Sequence, residues 1–367
     1  MQNTHKKICI VSICLAKGGA ERSCAMLSEM LVTQGYEVHI AILTDEVRFS
    51  YSGTLFNLGK LKKENETISG RFKRLLTLRA YLKKHAFDVI IDHRSKNDYY
   101  RELFYHKVIY KGFKKIYVVH SSNPSLYLTQ KPKEFAKLYN KNMVTVGVSN
   151  YISKTILPSF GIENSVTIHN AFDPAWGESQ RRLPGTITAG NYILSYGRID
   201  DPVKDFTFLL NAYTASHLWK EGIQLVILGD GDDKKTLQQF AQILPSASQI
   251  VFLPNQSPFH IIANAQFVTL TSRFEGFPMV LVESLSLGVP VVSLDIVSGP
   301  SEIIEHEKNG LLIAKRDVSL FAEAMQRMST DSILREQCQE NARASVAQFS
   351  TEEIAKQWNQ LLYNELR

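Results

Sequence analysis

The segment Ser272–Gly288, SRFEGFPMVLVESLSLG, constrains the fold and chemistry of this chain more than any other stretch. It places two carboxylates, Glu275 and Glu283, eight positions apart around a turn that opens a helix. Gly276-Phe277-Pro278 is poorly suited to a helix interior, but Pro278 suits the first helical position, where no amide hydrogen is needed. We therefore expect Glu275 on the loop before the helix, and Glu283 about one and a half turns into it.

The start of this predicted helix suits an anionic ligand. Its free amide hydrogens and the positive end of the helix dipole favour phosphate. Glu283 follows Met279–Val282, an apolar run that predicts burial, and a buried carboxylate needs partners such as a ligand's hydroxyls. A phosphate site beside two carboxylates that can hold hydroxyls suits a sugar nucleotide. The alternative is a surface loop followed by an ordinary amphipathic helix.

The whole segment resembles the E-x7-E motif of retaining glycosyltransferase family 4, whose members have the two-domain GT-B fold. The resemblance covers nearly the whole chain and is closest over residues 192–313. It implies an α/β protein with two Rossmann-like domains, whose parallel sheets face each other across a cleft. It also implies that Glu275 contacts the donor sugar ring, that Glu283 holds the ribose hydroxyls, and that Gly276-Phe277-Pro278 borders the donor.

Length and periodicity lead independently to two α/β domains. A chain of 367 residues exceeds one typical core, so we expect two domains of about 170–190 residues each. Short Val- and Ile-rich runs alternate with helical patterns, which is typical of parallel sheets. Strands are predicted near 7–13, 37–43, 87–91, 115–119, 143–147, 165–168, 192–196, 223–228, 249–252, 266–270, 290–293 and 310–313. Helices are predicted near 20–34, 70–85, 134–141, 150–158, 317–328, 331–347 and 351–366.

The domain boundary is predicted within 171–190, because turn-forming residues cluster there: Pro174, Gly177, Pro184, Gly185 and Gly190. By the resemblance, residues 1–170 form the acceptor domain and residues 171–350 the nucleotide-sugar donor domain. The last helix, within 351–367, is expected to cross back and pack onto the first domain. Ile354, Trp358, Leu361 and Leu362 have the spacing for that contact.

Composition predicts an ordinary globular protein of the cytoplasm. Apolar content is 44% and charged content 21%, and no run of 18 apolar residues predicts a membrane-spanning helix. The N-terminal KKICIVSICLA predicts a first strand, with a signal peptide as the less favoured alternative. Cys9, Cys14, Cys24 and Cys338 lack paired spacing, so we expect reduced thiols in core packing.

Charge is divided unevenly along the chain. Residues 1–170 hold 26 Lys and Arg against 13 Asp and Glu, whereas residues 171–367 hold 16 against 23. The span Lys60–Lys84 holds nine basic residues, opposed only by Glu64 and Glu66, and a stripe of Leu75, Leu78 and Leu82 lies at helical spacing. The hypothesis is a peripheral contact with anionic lipid head groups or a lipid-linked diphosphate, on the inner face of the cytoplasmic membrane. The alternative is a solvated helix that packs on its own sheet.

Two cationic side chains are candidates to neutralise a departing diphosphate. Arg198 and Lys204 follow the predicted strand 192–196, and fixed cations stabilise the negative charge that grows on such a leaving group. By the resemblance they are the Arg and Lys of the donor domain. The spacing is one residue longer than the usual pattern, and Asp205 stands where a glycine is common, so Lys204 is the less firm of the two.

Three Gly-containing turns and one histidine complete the predicted site. Gly18 and Gly19 follow the first strand, where adjacent glycines let the backbone approach a ligand closely. The resemblance gives donor contacts to these two residues, to Gly229 at the end of strand 223–228, and to Gly299-Pro300. His120 ends the strand 115–119, at the edge where α/β proteins bind ligands. By the resemblance His120 reaches the transferred sugar or the acceptor, and a structural histidine is the alternative.

No cofactor or metal is expected. The sequence has no Cys/His ligand cluster, its Asp230-Gly231-Asp232 belongs to the Gly-Asp-Gly turn that the resembling family carries after a strand, and members of that family need no metal. Nucleic acid is not an expected partner, because the second half is acidic and no recognition motif is present.

The leading hypothesis is a retaining transferase that moves a hexose or N-acetylhexosamine from a nucleotide sugar, UDP-linked by preference. The acceptor would be a glycan, lipid-linked in surface polysaccharide synthesis. The alternatives are a GT-B epimerase acting on UDP-N-acetylglucosamine and a non-catalytic nucleotide-sugar-binding protein. A nicotinamide dehydrogenase is least favoured, because the three glycines of G-x-G-x-x-G are absent.

Overall fold

The computed structural model describes residues 6–128, 131–175 and 183–366. The chain divides into two compact units. Unit 1 comprises Met1–Ala171 and Thr351–Arg367, and unit 2 comprises Phe172–Ser350. Gly177, one of the predicted linker residues, lies outside the described residues.

Unit 1 is built on seven parallel strands. They are β1 (Lys7–Ser12), β2 (Glu37–Ile42), β3 (Thr54–Asn57), β4 (Val89–Asp92), β5 (Lys114–Val119), β6 (Val144–Gly147) and β7 (Ser165–Thr167). Their order in the sheet is β3-β2-β1-β4-β5-β6-β7, and every pairing is parallel. The central strands are apolar runs buried on both faces, as parallel sheets require.

Helices cover the faces of this sheet. They are α1 (Gly19–Thr33), α2 (Ile68–His85), α3 (Tyr99–Phe104), α4 (Pro132–Tyr139) and α5 (Leu157–Ser159). A π-helical turn, Tyr105–Ile109, continues α3, and a second one, Ile152–Ile156, precedes α5.

Unit 2 repeats the plan with six parallel strands. They are β8 (Tyr192–Tyr196), β9 (Gln224–Leu228), β10 (Ile250–Leu253), β11 (Val268–Leu270), β12 (Val291–Leu294) and β13 (Gly310–Ile313), in the order β10-β9-β8-β11-β12-β13. The helices are α6 (Asp201–Lys204), α7 (Phe206–Ser216), α8 (Lys234–Gln242), α9 (Phe259–Ile262), α10 (Met279–Ser286), α11 (Pro300–Ile303), α12 (Val318–Thr330) and α13 (Ser332–Val346). The core packs α7 and α12 on one face of the sheet.

The last helix, α14 (Thr351–Glu365), belongs to unit 1 and packs against α1. Ile354, Trp358 and Leu362 are buried there, and the Tyr36 hydroxyl donates to Asn359 Oδ1 at 2.7 Å. The sequence therefore predicted both the helix and the domain that it joins.

For α2 the structure favours the alternative hypothesis, a helix whose apolar stripe packs within its own domain. Leu78 and Leu82 are fully buried and Leu75 is half-buried, so the apolar stripe belongs to the core of unit 1. Arg74 already has partners within the protein, because its guanidinium donates to Glu66 at 2.8 Å and to the Leu43 carbonyl at 3.0 Å. The leucine stripe is thus unavailable to a lipid surface, and membrane contact through this helix stays a prediction that rests on charge alone.

Two expectations from composition concern membrane-spanning helices and the cysteines. Within the described ranges, no helix combines the length and the apolarity needed to cross a membrane. All four cysteines are free and buried.

The parallel sheets also fix where polar side chains can gather. In each unit the carboxyl ends of the strands meet at one edge, where ligands of α/β domains bind. His120 follows β5 at that edge of unit 1. Lys204, Gly229, Glu275 and Gly299 follow β8, β9, β11 and β12 at that edge of unit 2.

Candidate functional site

Helix α10 begins one residue later than the sequence predicted. Pro278 is the N-cap rather than the first helical residue, and it makes no side-chain cap. Glu275 lies on the preceding loop, and Glu283 is the fifth residue of the helix. The two carboxylates therefore occupy the loop and helix positions expected from their spacing.

Glu275 is held by Lys204, the last residue of α6, and by Ser272 of its own loop. Its Oε1 accepts from Lys204 Nζ at 2.5 Å and from Ser272 Oγ at 2.6 Å. The Glu275 side chain is 14% exposed and that of Lys204 is 20% exposed, so the pair is partly shielded from water but still reachable. The structure thus brings together two of the predicted catalytic residues, which are 71 positions apart in the sequence.

Glu283 is 2% exposed, in keeping with the apolar run that precedes it. Its Oε2 accepts from the hydroxyl of Tyr196 at 2.6 Å, and the same hydroxyl lies 3.2 Å from the Val280 carbonyl. The sequence prediction gave this carboxylate ligand hydroxyls as partners, whereas the structure supplies a hydroxyl from the protein itself. Tyr196, the last residue of β8, is therefore a site residue that the sequence analysis did not single out.

Glycine is needed where the loop after β12 meets the start of α10. Gly299 has φ of +98°, and a Cβ there would lie 2.2 Å from Cδ of Pro278. Ser298 Oγ also donates to the Gly276 carbonyl at 2.8 Å. Any larger residue at position 299 would push apart the two loops that carry four of the predicted donor-binding residues.

Gly229 serves the same purpose between β8 and β9. Its φ is +157°, and a Cβ would lie 1.9 Å from the Gly197 carbonyl oxygen. This contact packs the Gly-Asp-Gly turn directly against the loop that carries Arg198. The Arg198 side chain is 71% exposed and lies 3.3 Å from Asp200, a pair too solvated to fix it firmly.

Asp205 explains how this chain does without the usual glycine after Lys204. Its backbone is left-handed, with φ of +53°, a conformation that Asp tolerates better than most residues. Its carboxylate accepts from Arg316 at 2.6 Å and from Arg273 at 2.8 Å. Arg316 also donates to the carbonyls of Thr271 and Ser272, so it ties the Lys204 loop to the Glu275 loop.

In unit 1, Gly18 and Gly19 form the junction between the loop after β1 and helix α1. Gly18 is an extended N-cap, and Gly19 is the first helical residue. A Cβ on Gly19 would meet nothing within 4 Å, whereas one on Gly18 would lie 3.0 Å from Glu21 Oε2. A side chain at position 19 would therefore meet open space, and the donor contact of Gly19 stays a prediction.

His120 is paired with a second histidine that the sequence analysis did not identify. His120 Nε2 lies 3.0 Å from His93 Nδ1, and the rings are inclined by 30°. The other nitrogens, His120 Nδ1 and His93 Nε2, are buried and have no hydrogen-bond partner among the described residues. Burial lowers the pKa of His93 to about 3, and burial, His93 and Lys96 lower the pKa of His120 well below its ordinary value. Both rings are therefore neutral near pH 7.

A buried ionic cluster supports this pair. Asp92 ends β4, and Arg94 bridges its carboxylate at 2.7 Å to that of Glu102 at 3.0 Å. Lys96 donates to the carbonyls of Asp92 and Arg94 at 3.2 and 2.7 Å. Burial lowers the pKa of Lys96 to about 8, with Asp92 opposing that shift. Four charged groups thus fix the loop on which His93 sits.

Two family models match the chain. "Glycosyltransferase Family 4" matches residues 17–176, and "Glycosyl transferases group 1" matches residues 178–345. The chain belongs to this family of GT-B glycosyltransferases. The first match covers the unit with the histidine pair, and the second covers the unit with the two glutamates.

Relatives with curated names differ in how much of their length the chain covers. It is 35% identical over 162 residues to "Exopolysaccharide phosphotransferase SCO2592" of Streptomyces coelicolor, which is 44% of this glycosyltransferase but only 17% of that protein. It is 25% identical over 368 residues to the Campylobacter jejuni "N-acetylgalactosamine-N,N'-diacetylbacillosaminyl-diphospho-undecaprenol 4-alpha-N-acetylgalactosaminyltransferase". That match covers 96% of this chain and 98% of the relative.

Solved structures show the same fold. The Anabaena protein Alr3699/HepE, solved in complex with UDP and glucose, superposes with a TM-score of 0.79. The match covers 98% of this chain and 100% of that one, at 18% identity. These comparisons favour the glycosyltransferase hypothesis over the epimerase and the binding-protein alternatives.

The described residues contain no group of three or more His, Cys, Asp or Glu side chains arranged to hold a metal ion. The independence from metal expected from the sequence stays a prediction, because a metal can also enter with a substrate's diphosphate.

Proposed function

We propose that this protein is a retaining glycosyltransferase that transfers a hexose or N-acetylhexosamine from a UDP-sugar to a glycan acceptor. The observation that carries the proposal is the Glu275–Lys204 pair at the carboxyl edge of the unit 2 sheet, with the buried Glu283 on the helix that follows. The family membership and a UDP-bound structural neighbour support it.

Lys204 and Arg198 are assigned to the leaving diphosphate. A UDP leaving group gains negative charge as the glycosidic bond breaks, and preorganised cations stabilise that charge in the transition state. The contact between Lys204 and Glu275 holds the ammonium in place before the donor binds, which limits the reorganisation that binding requires. Arg198 is largely exposed and would order only on the ligand.

Glu275 is assigned to the hydroxyls of the donor sugar, and Glu283 to the ribose. A carboxylate oxygen that already accepts from Lys204 and Ser272 is a poor nucleophile, because both hydrogen bonds withdraw electron density from it. This favours a front-face substitution, with an oxocarbenium-like transition state, over a covalent glycosyl-enzyme. The acceptor hydroxyl would attack from the side that the diphosphate leaves, which retains the anomeric configuration.

In unit 1, His120 is assigned to a hydroxyl of the transferred sugar or of the acceptor. A neutral imidazole with one free nitrogen can either accept a proton from a hydroxyl or donate a hydrogen bond to it. We further propose a lipid-linked glycan acceptor at the inner face of the cytoplasmic membrane. The basic first half of the chain and the undecaprenol-linked substrate in the name of the Campylobacter relative support that choice.

The direct test is turnover of a panel of UDP-sugars with glycan acceptors, compared between wild type and Glu275→Gln. Glu340→Gln, an exposed change on α13 of the same unit, is the matched control. We expect Glu275→Gln to lower kcat roughly tenfold or more, because one transition-state contact is lost. The product of the wild type should keep the α-configuration of the donor by NMR. Unchanged turnover in Glu275→Gln refutes the assigned role, and an inverted product refutes the retaining mechanism.

A further inference from the structure

Unit 1 contains a basic cavity far along the sheet from His120. The cavity measures about 380 Å³ and is lined by His106, Lys107, Tyr110, Lys111, Gly112 and Lys115. Lys115 is the second residue of β5, whereas His120 follows the last residue of that strand. The cavity therefore opens at the amino edge of the sheet, opposite the edge that carries the histidine pair.

The local sequence supplies positive charge without compensation. Residues 103–133 contain six lysines and no aspartate or glutamate. None of the residues that line this cavity carries a carboxylate. The lining of a cavity in unit 2, by contrast, includes Glu323 as well as Lys315 and Arg327.

Lys115 is the least expected member of this cluster. It is only 7% exposed, yet the ion pairs and hydrogen bonds of the described residues include none for its ammonium. Burial and the neighbouring Lys141 both lower its pKa. The Lys115 side chain is thus largely buried while its ammonium has no counterion among the described residues, which leaves that ammonium available to an anion in the cavity.

His106 gives a second, independent sign. Its Nδ1 is buried and has no hydrogen-bond partner among the described residues. Burial is the largest cause that lowers its pKa to about 4, and the charged groups that add to the effect are Lys115, Lys141 and Lys107. The His106 ring is therefore neutral near pH 7 and lies in the positive electrostatic field of these lysines.

We propose that this cavity is a binding site for a phosphate-type oxyanion, held by Lys107, Lys111 and Lys115 with His106 as a further donor. An oxyanion would neutralise the lysines and complete the hydrogen bonding of His106. The same chemistry is offered by free inorganic phosphate or pyrophosphate and by the head group of an anionic phospholipid. The site is separate from the proposed donor site, which lies in unit 2.

The test compares wild type with Lys115→Met, which keeps the side-chain length and removes the charge. Lys73→Met, an exposed lysine of α2, is the control for net charge. Calorimetry with inorganic phosphate and pyrophosphate is run with excess UDP, so that binding at the unit 2 site is reduced. Co-sedimentation with phosphatidylcholine vesicles, with and without phosphatidylglycerol, tests the lipid source.

We expect at least one of these probes to bind the wild type and Lys73→Met, and to bind Lys115→Met roughly tenfold more weakly. If Lys115→Met binds phosphate or pyrophosphate more weakly in calorimetry, the ligand is a free oxyanion. If Lys115→Met loses only its binding to vesicles that contain phosphatidylglycerol, the ligand is a lipid head group. The anion should raise the Tm of the wild type but not of Lys115→Met. Lys111→Met should repeat the result. Equal binding by wild type and Lys115→Met, or no binding of any probe, overturns the proposal, whether or not UDP binds.

Discussion

The two units share one architecture but prepare their ligand edges in different ways. In unit 2 the edge carries partly exposed groups that pair across loops, such as Lys204 with Glu275. In unit 1 the edge carries a buried ionic cluster and two neutral histidines with unpartnered nitrogens. The first arrangement suits an anion that binds a cation already held in place by a carboxylate. The second suits a hydroxyl, which needs a neutral partner in a dry place.

The largest expected difference concerns stability. Arg94→Met leaves Asp92 and Glu102 buried without their shared cation, and we expect the free energy of unfolding to fall by about 3–5 kcal/mol. Arg316→Met removes a partly exposed guanidinium from unit 2, and the expected loss is about 1–3 kcal/mol. Urea unfolding followed by circular dichroism measures both. Equal losses of unfolding free energy in the two variants would show that the buried network of unit 1 does not stabilise the fold more than the accessible network of unit 2.

Acid should weaken unit 1 through His93. The unfolded chain protonates this histidine near pH 6.5, whereas the folded protein does so only near pH 3. The stabilisation that neutral His93 gives to the folded protein is therefore complete above pH 6.5 and is lost as the pH falls below that value. At pH 5 the expected loss is about 2 kcal/mol. Urea unfolding at pH 7 and pH 5 should show a smaller pH-dependent loss in His93→Phe than in the wild type. The same loss in both proteins contradicts the assignment.

A smaller effect is expected on catalysis from the same position. His93→Phe removes the hydrogen bond that orients His120, so we expect kcat to fall about three- to tenfold with little change in KM for the donor. His93→Asn retains a polar partner and should recover part of the loss. His120→Ala shows whether His120 matters at all. If it is inactive while His93→Phe is fully active, His93 has no positioning role.

The fold could be predicted from the sequence because its strands are dense apolar runs. All strands of unit 2 and six of unit 1 lie within about two residues of their predicted bounds. Strand β3 was missed, because TLFN is short and its residues are exposed or half-buried at the sheet edge. Edge strands lack the buried pattern from which central strands are predicted.

The candidate site could be predicted only where its residues are neighbours in sequence. Glu275 and Glu283 share one segment and were found by their spacing. Arg316 and Asp205 are 111 positions apart, and Tyr196 and Glu283 are 87 apart, so only the sheet brings them together. The one sequence signal for Arg316 was Asp205 itself, an acidic residue where a glycine is usual.

The central claim is that the carboxyl edge of unit 2 binds the diphosphate of a nucleotide sugar. Calorimetric titration with UDP, GDP and ADP tests it most directly, on wild type, Lys204→Met and the exposed control Lys220→Met. We expect UDP to bind most tightly of the three nucleotides, Lys204→Met to weaken UDP binding roughly tenfold, and Lys220→Met to leave it unchanged. Absence of UDP binding to the wild type, or equal UDP affinity in Lys204→Met, would refute a diphosphate site at this edge.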